Sequence, residues 1–233
     1  MTPVALVPDL GRLAPRRGAD PELFVEELSR QLDEASARLA AAPEPTPAAA
    51  ELLAATLREK IETSEVAAAW MAGEFDLELK LAYARLCGDQ ARHYRLLSDR
   101  LQALDAGAAR LDPLARGHSP LFRYLKSLET PAERLAAGLL ARQGLARVRG
   151  AAMADLCQAR GDQETARLQR ELIGVEEAEH HRDGRRLLAR FAVTPEDQER
   201  ARRALARALQ LSEERREGAR ARPAAPAPSG RPA

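Results

Sequence analysis

Two short spacings in this 233-residue chain carry chemistry: Glu177 with His180, and Gln90 with His93, each pair three residues apart. On a helix, residues at i and i+3 share a face, with Cβ atoms roughly 5–6 Å apart. A carboxylate and an imidazole so placed can both reach one atom, and together they suit a divalent transition metal. They also suit each other, because a buried histidine that meets an acid needs no metal. Gln143, and either Glu62 or Glu65, interrupt two further apolar stretches in the same way. A carboxylate buried without a partner costs several kcal/mol, so these interruptions demand a reason.

The elements that must position these residues announce their own starts. Asp20-Pro21, Thr46-Pro47, Thr130-Pro131 and Thr194-Pro195 each set an N-cap oxygen before a proline at the first helical position. There the missing N–H is no loss and the fixed φ suits a helix. Glu133 completes a capping box with Thr130. These signals open helices over about 21–41, 47–73, 131–159 and 195–217, and apolar periodicity adds 77–104 and 163–191. Short turns at Gly73–Asp76 and Arg160–Asp162 fold the four central helices into two antiparallel hairpins. A crossover over 105–129, with one short helix at 121–128, joins them. Pro43–Pro47 reads as a hinge, and 219–233, rich in Pro, Ala and Arg, as a disordered tail.

Seams spaced three and four apart say which residues face inward. Helix 77–104 presents Leu79, Tyr83, Leu86, Gln90, His93, Leu97, Leu101 and Leu104; helix 163–191 presents Ile173, Glu177, His180, Gly184, Leu187 and Phe191. Helix 131–159 presents Leu139, Gln143, Ala146, Gly150, Met153 and Cys157. Helix 47–73 offers two stripes, Ala54–Leu57–Ile61–Glu65–Ala68–Ala72 and Ala55–Glu59–Glu62–Val66–Ala69. Residues equidistant from a hairpin turn lie at one height, and the midpoint of Gln143 and Glu177 falls in the Arg160–Asp162 turn. The polar exceptions of all four helices are therefore expected in one layer. His181 should point about 100° away from His180, to the surface. Tyr83 is expected in the core with a satisfied hydroxyl, Trp70 against the crossover or the first helix, and His118 in a loop.

Composition narrows the field. The chain has 48 Ala and only 8 aromatic residues, which favours helices over sheets. Arg outnumbers Lys 33 to 3, yet acids balance them to a net charge of +1, which does not favour a nucleic-acid partner. No apolar run approaches the roughly 18 residues of a membrane span. The N-terminal apolar stretch precedes Arg16 and Arg17, the reverse of a secretory signal. Cys87 and Cys157, inside helical patterns, are expected as reduced thiols of a cytoplasmic protein.

At the layer residues the sequence resembles the ferritin-like superfamily of di-iron carboxylate proteins. That pattern is one Glu from each of two helices and a Glu-x-x-His from each of the other two. Glu177-Ala178-Glu179-His180 matches in full, and Asp89-Gln90-Ala91-Arg92-His93 matches with Gln90 in place of Glu. Gln143 takes the place of the third-helix Glu, and Glu65 or Glu62 that of the first. The resemblance spans about 47–191.

It implies an all-α, ferritin-like antiparallel four-helix bundle at 47–193. Before it come an N-terminal extension, 1–46, and after it a C-terminal helix, 194–218, and the tail, 219–233. It implies iron or manganese held by Glu65 or Glu62, His93, Glu177 and His180, in an O2-activating oxidoreductase or hydroxylase. Asp89 would orient His180, and Glu176 would orient His93. Amides at 90 and 143 favour one ion over two, since two ions at ~4 Å repel strongly. The alternative is a layer closed by amide hydrogen bonds from Gln90 or Gln143 to Glu177 or Glu65. The chain would then be a metal-free scaffold or accessory protein, such as a homodimer.

Overall fold

The computed structural model describes residues 18–41, 49–105, 112–115 and 117–220. Among these the chain is all helical, with no strand. Seven helices follow in order: α1 (Pro21–Ala41), α2 (Ala49–Ala72), α3 (Leu77–Leu104), α4 (Pro120–Lys126), α5 (131–159), α6 (163–191) and α7 (Pro195–Arg220). None is long and apolar enough to cross a membrane. Side chains start most of them. Asp20 accepts from the Leu23 N–H, Asp76 from Leu79, Ser119 from Phe122, Asp162 from Thr165 and Thr194 from Asp197. Thr130 and Glu133 form the full capping box. Gly161, at φ +86°, makes the left-handed turn between α5 and α6, a conformation that a Cβ would oppose.

The Thr46-Pro47 cap and the Pro43–Pro47 hinge lie outside the described residues, as does the tail from 221 onward. Residues 219 and 220, expected in that tail, instead finish α7. The crossover helix begins at Pro120 and ends at Lys126, slightly earlier than expected, because Ser119 caps it. Leu104, expected at the end of the α3 seam, is 42% exposed.

The apolar core falls into two clusters. The larger gathers Leu79, Tyr83 and Leu86 of α3, Leu135–Leu145 of α5, Leu187 and Leu188 of α6, and residues of α4. Phe24 and Leu28 of α1 and Leu205 and Leu211 of α7 pack into the same cluster, so both outer helices share the central core. Gln198 locks this junction: its amide donates to the carbonyls of Ala19 and Ala192 and accepts from the Ala19 N–H. The smaller cluster holds Leu53, Leu57, Leu97, Leu101, Met153, Cys157 and Ile173. A belt of buried polar residues separates the two: Lys60, Glu62, Thr63, Gln90, His93, Arg142, Gln143, Glu177 and His180.

Two departures from α geometry prepare that belt. Leu135–Arg142 in α5 and Leu168–Ile173 in α6 are π-helical, a form that mostly appears as local bulges near functional positions. The first ends directly before Gln143 and the second one turn before Glu177. One turn before Gln143, at Leu139, α5 comes into backbone contact with α6. A Cβ on Gly184 would lie 2.9 Å from the Leu139 carbonyl carbon. Glycine is required there.

Candidate functional site

The α3 residues arrive as their seam dictates. Gln90 and His93 are buried beside Leu86 and Leu97, at 2% and 0% exposure. Glu177 and His180 of α6 are each 1% exposed. Gln143 of α5 is buried as well. The α3 and α6 motifs are then cross-linked reciprocally. His93 Nε2 lies 2.6 Å from Glu176 Oε2, and His180 Nε2 lies 3.0 Å from Asp89 Oδ2. Both acids also meet arginines at the helix surface. Arg92 bonds Glu176 and lies 3.3 Å from Asp89, and Arg85 lies 3.6 Å from Asp89.

These contacts fix the protons. A carboxylate only accepts, so each Nε2 carries the hydrogen and donates it. Burial holds the His93 imidazole down to about 4, and the Lys60 ammonium pushes the same way. The ring is therefore neutral at pH 7, with its second nitrogen, Nδ1, a bare lone pair. That Nδ1 is buried and has no hydrogen-bond partner. Burial likewise lowers the His180 pKa.

On α2 the sequence left Glu65 and Glu62 open. Glu65 is on the outside, its side chain 41% exposed and 3.6 Å from His118. Glu62 is buried, but both oxygens are occupied: Oε1 accepts from the Ser119 N–H and Oε2 from the Ser119 hydroxyl, each at 2.6 Å. Arg58 lies 3.4 Å from the same carboxylate. Glu62 thus anchors the crossover rather than facing Glu177. The side chain that reaches the middle of the layer is Lys60, 4% exposed, whose ammonium donates to Glu177 Oε1. Leu53, Leu57, Lys60, Ser64 and Ala67 of α2 are buried along one line, with Glu62, Thr63, Val66 and Trp70 buried beside it, so the first expected stripe keeps only Leu57 and the second only Glu62 and Val66. A lysine at a seam position reads as a surface residue, and this concealed it. The one available signal was its register, three residues after Leu57 and four before Ser64.

The amide closure expected for Glu177 is likewise replaced by this ion pair. Gln90 Nε2, Gln143 Oε1 and Glu177 Oε2 are buried without hydrogen-bond partners. Three further expectations meet corrections or detail. His181 is only part-exposed, because its Nδ1 bonds the Leu140 carbonyl at 3.1 Å, an acceptor inside the π-helical stretch. The Tyr83 hydroxyl is buried without a partner, so this core tyrosine is not satisfied, and its ring tilts against Trp70 at 5.4 Å. Trp70 packs against the crossover, its indole N–H donating to the Leu125 carbonyl. Cys87 and Cys157 are free thiols.

As these side chains stand, they do not fit a di-iron centre. One carboxylate, Glu177, reaches the layer where four are needed, and an ammonium already holds it. Among the described residues no group of three or more His, Cys, Asp or Glu side chains is disposed to hold a metal ion. Electrostatics agrees. A divalent ion ~4 Å from the Lys60 ammonium would meet a repulsion of about 8 kcal/mol at an effective dielectric of about 20. No family model, curated protein or solved structure matches this chain.

Proposed function

We propose that the chain is a ferritin-like helical bundle that works without a resident metal, as a non-catalytic scaffold or accessory protein. The observation that carries this reading is the buried Lys60–Glu177 ion pair. A metal in such a layer neutralises inward-facing carboxylates and ties the two hairpins together. Here the ammonium neutralises Glu177 and ties α2 to α6, while the two histidine–acid pairs tie α3 to α6. Each link joins one hairpin to the other, and none requires an ion from outside.

A second reading, an iron- or manganese-dependent oxidoreductase, draws on one specific feature. Glu176 holds His93 by Nε2, the arrangement by which carboxylates orient metal-binding imidazoles. Metal analysis separates the two. Purified from cells grown with supplementary iron and manganese, the protein should carry only substoichiometric transition metal and take up none on incubation. A tightly held ion in every chain, lost in His93→Ala, would replace the scaffold with the metalloprotein.

A further inference from the structure

A cavity of about 450 Å3 opens where α1 packs on α5 and α6, and none of the belt residues lines it. That is the size of a small-molecule site, in which apolar walls surround a few polar groups that orient the ligand. Glycines make the space: Gly144 of α5 and Gly174 of α6 face it without a side chain. A Cβ on Gly144 would lie 2.5 Å from Leu32 Cδ2 and 3.3 Å from His181 Nδ1, so glycine lets α1 and His181 close over this stretch of α5. Leu32 and Val148 form apolar walls, and four polar side chains bring bonding capacity that the fold leaves unmet. Gln169 is 4% exposed, yet its amide makes no hydrogen bond among the described residues. A carboxamide carries two donors and an acceptor, and burying them unmet is costly. His181 gives its Nδ1 proton to the Leu140 carbonyl, and burial lowers its pKa, so the ring is neutral at pH 7 and Nε2 keeps a lone pair. At the rim, Asp33 of α1 and Arg147 of α5 are exposed and form no ion pair among the described residues. Arg170, the other charge there, is held by Asp155 and Gln158.

We infer that this cavity binds a free α-amino acid with a carboxamide side chain: Arg147 takes its carboxylate, Asp33 its ammonium, and Gln169 with His181 its amide. The rim charges decide the class. An anion alone would satisfy Arg147 but meet repulsion from Asp33, and a cation alone would do the reverse. One small molecule carrying both signs answers both. The guanidinium fork of Arg147 matches a carboxylate with two parallel N–H···O bonds. Gln169 decides the side chain, because two carboxamides exchange a pair of hydrogen bonds, each donating to the other's oxygen. The ligand's second amide N–H then donates to His181 Nε2, which can only accept. A carboxylate side chain would bring lone pairs to that lone pair and is disfavoured. The site needs α1 for its Asp33 wall, so the outer helix completes it.

The inference goes beyond the scaffold reading and stands or falls separately from the metal analysis. The full chain is titrated by calorimetry with L-glutamine and with two truncated probes. 4-Carbamoylbutanoate lacks the ammonium, and 4-aminobutanamide lacks the carboxylate. The wild type should bind one L-glutamine and melt higher with it, and should bind each truncated probe roughly tenfold more weakly or worse. Arg147→Gln and Asp33→Asn change exposed side chains without partners, so folding is not at stake. Each should weaken L-glutamine by a similar factor, while Arg147→Gln should leave 4-aminobutanamide unaffected. Absence of binding at millimolar L-glutamine would overturn the inference. Binding that survives both substitutions would place the ligand elsewhere and overturn it too. Equal affinity for L-glutamine and 4-carbamoylbutanoate would make the cavity an anion site and overturn the amino acid.

Discussion

Glu177 and Lys60 make a test of what one buried pair contributes. Breaking such a pair from one side leaves a charge without compensation and typically costs about 3–5 kcal/mol, whereas replacing both partners with apolar residues is often neutral. Lys60→Met should therefore lose stability on that scale in urea denaturation, and Lys60→Met/Glu177→Met should recover most of it. Additive losses would show that the two side chains do not depend on each other. His93 sets a pH dependence. Its pKa is about 4 in the fold and returns to about 6.5 when unfolded, so between these values the unfolded chain binds more protons. Stability is then fully present above about pH 6.5 and is lost as pH falls towards 4, by on the order of 3 kcal/mol. Glu176, lowered by Arg92 and His93 against its burial, works in the same direction. A melting temperature unchanged between pH 7.5 and pH 4.5 would rule this out. Gln90, His93, Glu177 and His180 were legible in the sequence because each breaks an apolar seam. Lys60 was not, since α2 has so many alanines that several stripes look equally inward. For the same reason Glu65 could not be told from Glu62.

At the scale of the helices, starts were legible because capping chemistry is local: an oxygen, then a proline, then a glutamate at a fixed offset. The π-helical stretches were not. Gly138 apart, Leu135–Arg142 consists of good helix formers, and nothing in their order forbids an ordinary α turn. Every residue from 135 to 145 is buried, including Arg142, which donates to the Thr63 hydroxyl and the Glu59 carbonyl. A seam count has no place for an arginine there. The contact between α5 and α6 makes a prediction at this level. Gly184→Ala puts a methyl 2.6 Å from Leu139 Cβ and 2.9 Å from its carbonyl carbon, a clash with backbone that cannot rotate away. Overpacking of this kind costs about 1–3 kcal/mol. Urea midpoints measure it directly, and a variant as stable as wild type would show that the two helices are free to separate.

Over the whole molecule, α1 and α7 look like additions in sequence but contribute to the larger apolar cluster, with Leu28 and Leu205 fully buried. Leu205→Ala should cost about 2–5 kcal/mol, as should Leu97→Ala in the smaller cluster. If the clusters unfold together, each variant lowers one common midpoint seen by circular dichroism and by Trp70 fluorescence. Separate midpoints for the two probes would mean the belt divides the protein into halves that fold independently. The polar belt has one more consequence. Leucines and alanines stack almost equally well if a helix slides by one turn, so an apolar core alone chooses poorly among alignments. Sliding α2 by a turn would carry the ammonium about 5.4 Å away from Glu177 and set it against aliphatic neighbours. The belt therefore behaves as a key in a keyway: it adds little to how tightly the helices grip, and it decides where along one another they stop.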